Sequence, residues 1–131
     1  MSSTKTHEMH AQGRKLLKEI VEELPRTKLR DQDTYGNQEY ERTAILERKV
    51  MLLLAHLELA HLGYTVWQIS KPIPIRKTTG PEFLIPIRTS ESPSLKPGGP
   101  QHPGSYTCYT VNTYLTAELD CIFVGELPKR E

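Results

Sequence analysis

The run from Val50 to Leu62 constrains this chain more than any other stretch, because it is almost wholly apolar and holds neither proline nor glycine. Extended back to Gln38, it predicts a helix of about 25 residues, roughly 37 Å long at 1.5 Å per residue. Asn37 is its expected N-cap, Glu39 and Glu41 suit the positive end of the helix dipole, and Gly63 follows as the expected C-terminal stop. Leu46, Val50, Leu53, Leu57 and Ala60 make one apolar stripe; Ile45, Leu52 and Leu59 make a second, with His56 beside it. A helix that is apolar on two sides must be covered on two sides. One cover is a preceding helix. The other is a sheet or a second copy of the chain.

The preceding helix is expected over Thr6 to Leu24, with Met9, Leu16, Leu17, Ile20, Val21 and Leu24 on one face. Gly13 falls on that face at a cost in helix propensity, which points to close approach by another element. Pro25 ends the helix, and residues 25–37 read as a polar loop.

Beyond Gly63 the pattern changes to strands. Tyr64 to Ser70 is rich in β-branched and aromatic residues, Tyr106 to Thr113 alternates, and Glu118 to Glu126 carries the apolar Cys121-Ile122-Phe123-Val124. Two Pro-Ile-Arg segments, residues 72–76 and 84–88, predict a hairpin of extended pieces. Proline cannot donate to a ladder, so they belong at an edge or are only partly paired. Residues 89–105, rich in Pro, Gly and Ser, predict a mobile loop, and the tail from Leu127 a frayed end.

With 131 residues the chain has the length of one domain, 1–131, with a helical half (1–63) and a strand-rich half (64–131). The expected fold class is α+β: an N-terminal two-helix hairpin packed on a small, mainly antiparallel sheet. Charge adds an exclusion. Seventeen basic and 16 acidic residues leave a net +1, with 10 and 10 in residues 1–63 and 7 and 6 in the rest. A protein devoted to phosphate backbones shows a positive excess, so nucleic acid is not the first expectation. No apolar run is long enough to span a membrane. Cys108 and Cys121 lie in strand-like sequence and read as buried thiols in a reducing compartment, so an intracellular location, cytoplasmic or nuclear, is expected.

Candidate chemistry is sparse. His7 and His10 share a helical face but lack partner ligands, and His56 and His61 are five apart, not the four that puts two imidazoles side by side. No local signature of a nucleophile surrounds either cysteine. The Gly98-Gly99 pair is bracketed by Pro97 and Pro100 and opens no helix, which excludes a phosphate cradle. Asp120 precedes an apolar strand and could face inward, but a lone carboxylate is no mechanism. Neither a cofactor nor a metal is expected. Two surfaces remain. Leu52, His56 and Leu59 on the second helix form a candidate interface for self-association, giving a non-enzymatic interaction or accessory protein, a homodimer with a further protein partner. Arg76, Lys77 and Arg88, with Arg26, Lys28 and Arg30 of the inter-helix loop, form the alternative: a nucleic-acid-binding accessory protein using charge and stacking on Tyr64 and Trp67.

Overall fold

The computed structural model describes residues 4–76, 80–90 and 92–126. Within them the chain mixes two helices with two antiparallel sheets. It opens with strand β1 (Thr4–Glu8), then α1 (Ala11–Glu23) and a 3-10 turn at Leu24–Arg26, and β2 (Leu29–Gln32) and β3 (Gln38–Tyr40) precede α2 (Ala44–His56). The rest is strand: β4 (Gly63–Ile69), β5 (Ile73–Ile75), β6 (Glu82–Thr89), β7 (Ser94–Lys96), β8 (Gly99–Pro100), β9 (Ser105–Tyr109), β10 (Thr113–Leu115) and β11 (Leu119–Gly125).

Seven strands form one sheet in the order β1-β9-β6-β11-β4-β3-β2, and four form another in the order β5-β10-β7-β8. The helices cover one face of the large sheet. There Ile20, Leu24, Leu46, Val50, Leu53 and Leu54 pack on Tyr64, Val66, Ile85, Ile87, Ile122 and Val124. The small sheet covers the other face, where Leu95 and Leu115 meet Ile69, Leu84, Tyr109, Leu119 and Cys121. The period-2 alternation of strand side chains sorts neighbouring residues between the two cores. Thus Ile122 and Val124 turn to the helices, whereas Cys121 and Phe123 turn to the small sheet. Burial on both faces is why β11 reads as a continuous apolar run.

The expected α+β mixture is therefore present, but the helices do not form a plain N-terminal hairpin and the main sheet is larger than expected. A β-hairpin, β2–β3, separates α1 from α2, and the main sheet has seven strands. Residues 4–8 pair with β9, Thr4 to Tyr109 through Glu8 to Ser105, so α1 begins only after the extended His10. Gln38 and Glu39 pair with Gln68 and Trp67, which moves the start of α2 to Thr43, whose side chain accepts from the Leu46 amide at 3.1 Å. The helix stops at His56, and Glu58 adopts a left-handed φ of 63°. The close approach expected at Gly13 is present: an added Cβ would lie 3.3 Å from the His56 ring.

The two Pro-Ile-Arg segments do not form a hairpin with each other. Segment β5 pairs with β10 at an edge of the small sheet, whereas β6 lies inside the large sheet between β9 and β11. An interior strand tolerates Pro86 because the register shifts there: Asp120 faces Arg88 and Cys121 faces Pro86, so Ile87 is bulged out. Residues 89–105 are likewise structured where described. They carry β7 and β8, Leu95 is fully buried, and Gln101 is nearly so. Residues 127–131 lie outside the described part.

Candidate functional site

The outer face of α2 carries large uncovered apolar side chains. Residues three and four apart on a helix share a side, so Leu46, Val50, Leu53 and Leu54 turn inward together, each 1% exposed or less. Ile45 and Leu52, seven apart, lie opposite and are 59% and 54% exposed. His56 is exposed too, at the edge of this side, where its ring lies against Gly13 of α1. Leu59 is not. It lies beyond the helix end, 6% exposed, in the core under α2. Of the three residues expected at the interface, Leu52 lies on the outer face, His56 at its edge, and Leu59 is a core residue. Ile45 takes its place. Its position in the second apolar stripe was legible; the early end of α2 was not.

The basic candidates are scattered. Arg76 follows β5 on the small sheet, and Arg88 ends β6 on the large one. Lys77 lies outside the described residues. Arg88 is also engaged: its Nε and Nη2 both donate to Asp120 Oδ2 at 2.7 Å. Asp120 is nearly buried, and its other oxygen accepts from the Tyr40 hydroxyl at 2.9 Å. Burial, with the Asp120 charge beside it, pushes the Tyr40 phenol up, so it stays a donor. Asp120 was recognisable as an inward carboxylate. Tyr40 was not, because it sits in a strand where the pattern suggested helix.

Tyr40, Asp120 and Arg88 form a triad, of which Arg88 and Asp120 line a cleft of about 380 Å³ together with Gln68, Ser70, Ser90 and Glu118. Ser90 Oγ donates to Glu118 Oε1 at 3.1 Å. The triad ties β3, β6 and β11 together across the sheet.

The other candidates are placed as follows. His7 stacks on Tyr106 with ring centroids 5.0 Å apart, on β1 and not on a helix. Among the described residues no group of three or more His, Cys, Asp or Glu is arranged to hold a metal. Neither cysteine is in a disulfide. They sit on β9 and β11 with β6 between, Cys108 opposite Phe83 and Cys121 opposite Pro86, so more than two strand spacings, about 9.6 Å, separate them. A disulfide needs Cα atoms within about 7 Å. Burial pushes the Cys121 thiol well up, which suppresses its thiolate. No described helix is long and apolar enough to cross a membrane. No protein-family model, no curated protein and no solved structure matches this chain.

Proposed function

We propose that this is a non-enzymatic interaction protein that self-associates through the outer face of α2. One observation carries the reading: Ile45 and Leu52 stand more than half exposed on the side of α2 opposite its core stripe. Large aliphatic side chains paired on one helix face gain free energy when a partner covers them. A second copy presents the same stripe, and pairing two such faces gives a closed twofold interface. His56 extends the contact, and further protein partners would meet the same face. Two cysteines not joined in a disulfide are in keeping with an intracellular setting, cytoplasmic or nuclear.

Light scattering on purified wild-type, Ile45→Glu and Leu52→Glu protein tests this. The expected result is a dimer for the wild type and folded monomers for both variants. A wild-type monomer at high concentration, or variants that remain dimers, refutes it. Leu59→Glu serves as a folding control, since it buries a charge in the core.

The nucleic-acid reading has less support, because Arg88 is committed to Asp120 and Arg76 follows a strand of the other sheet. Its test is oligonucleotide binding at two salt concentrations. Retention that weakens with salt and is lost in Arg76→Ala would favour it.

A further inference from the structure

The two sheets do not close on each other along their whole length. Near β5 they leave a cleft of about 270 Å³, lined by Trp67, Phe123, Tyr109, Ile73, Asp33 and Glu82, among others. Its floor is aromatic by register. Phe123 on β11 faces Thr65 on β4, and Trp67 is two residues further along β4 on the same side. Diagonal neighbours of this kind, about 7–8 Å apart, are within reach of aromatic rings. Both rings are half-buried, as are Ile73 and Ile75, which form the wall from the small sheet. At another side Tyr109 is fully buried and its hydroxyl donates to Glu82 Oε1 at 3.1 Å. That bond spares the second Glu82 oxygen. Asp33 is half-buried, with Oδ1 accepting from the Tyr35 and Asn37 amides at 2.9 Å each.

Three aromatic rings and two carboxylates thus border one small cleft, and among the described residues no basic side chain lines it. Ring faces carry a negative quadrupole, so an aromatic surface favours a cation over an equally shaped neutral group, and most of all where water is partly excluded. The carboxylates add long-range attraction of the same sign. We propose that this cleft is a binding site for a small organic cation of the alkylammonium class, with Trp67 and Phe123 against its methyl groups and Glu82 and Asp33 balancing its charge. At about 270 Å³ it falls below the size range of pockets that hold drug-sized ligands, and so takes a small one. This site is separate from the α2 face and does not depend on self-association.

Trp67 is the single tryptophan of the chain, so its fluorescence reports on the cleft directly. The probes are choline, its neutral isostere 3,3-dimethylbutan-1-ol and the anionic 3,3-dimethylbutanoate, each titrated into the full-length protein. The expected result is a saturable change with choline, at an affinity at least ~10-fold above the alcohol, with the anion weakest. Glu82→Gln should weaken choline several-fold and leave the alcohol unchanged. It keeps an oxygen for the Tyr109 hydroxyl, and Asp33→Asn likewise keeps the acceptor for the turn amides. The wild-type series decides even if a variant does not fold. An absence of any saturable change with choline overturns the proposal. So does an alcohol that binds as well as choline, which would make the cleft merely apolar.

Discussion

Replacing Arg88 by Met removes two of the three donors that hold a nearly buried carboxylate. Asp120 has a side chain 5% exposed, and its donors are Arg88 Nε, Arg88 Nη2 and the Tyr40 hydroxyl. Breaking a fully buried pair from one side costs about 3–5 kcal/mol. An exposed pair is worth about 0.2–1 kcal/mol. Arg88 is 47% exposed, so water can replace part of what it supplies, and the cost falls between these limits, at about 2 kcal/mol. In a chain of this length that lowers Tm by roughly 6–10 °C. Tyr40→Phe removes one hydrogen bond to a charged acceptor, about 1.5 kcal/mol. In a double-mutant cycle of Arg88→Met with Asp120→Asn, the second change should be far milder once Arg88 is gone, giving a coupling of about 1–2 kcal/mol. Urea unfolding followed by Trp67 fluorescence and far-UV circular dichroism measures each term. A loss for Arg88→Met below about 0.5 kcal/mol with an unchanged denaturant slope would falsify the view that this triad fastens the sheet.

Three further outcomes follow from other contacts. Asn37 is fully buried; its Oδ1 accepts from the Ser70 and Lys71 amides and its Nδ2 donates to the Lys71 carbonyl, so Asn37→Ala should cost about 2–4 kcal/mol by chemical denaturation. Cys121 should stay unreactive toward a thiol reagent in the native protein and react only after unfolding; mass mapping that finds native Cys121 modified as fast as Cys108 contradicts the packing at β11. Stability should decline in alkali. Burial raises the phenols of Tyr40 and Tyr109 above the ordinary value near 10, with the charges of Asp120 and Glu82 adding to it. The native state then holds protons that the unfolded chain releases, so their contribution is complete below about pH 10 and is lost as pH rises above it, at about 1.4 kcal/mol per pH unit for each tyrosine. Tyr40→Phe should make the decline shallower, and an unchanged slope would count against this assignment.

Much of the architecture was legible from local pattern. The inner stripe of α2, the strands at β4, β9 and β11, and the close contact at Gly13 all follow from periodicity and composition, because burial on one side of an element leaves its period in the sequence. What the pattern left open depends on partners distant in the chain. Residues 4–8 become a strand because β9, about 100 residues away, supplies an edge, and Gln38 to Tyr40 become one because β4 does. Asn37 resembles a helix cap, yet its amide instead fastens Ser70 and Lys71. Leu59 has the spacing of an interface residue, but α2 ends three residues earlier and the chain turns it into the core. Two similar Pro-Ile-Arg segments went to different sheets because a bulge lets one proline sit inside the main sheet, while the other keeps to an edge. The sequence by itself determined the mixture of helix and strand, the side of α2 that must be buried, and a charge balance that does not single out nucleic acid. Tertiary structure decided which strands pair, what Arg88 and Asp120 hold together, and where the two sheets leave a gap, because each depends on residues that meet only once the chain has folded.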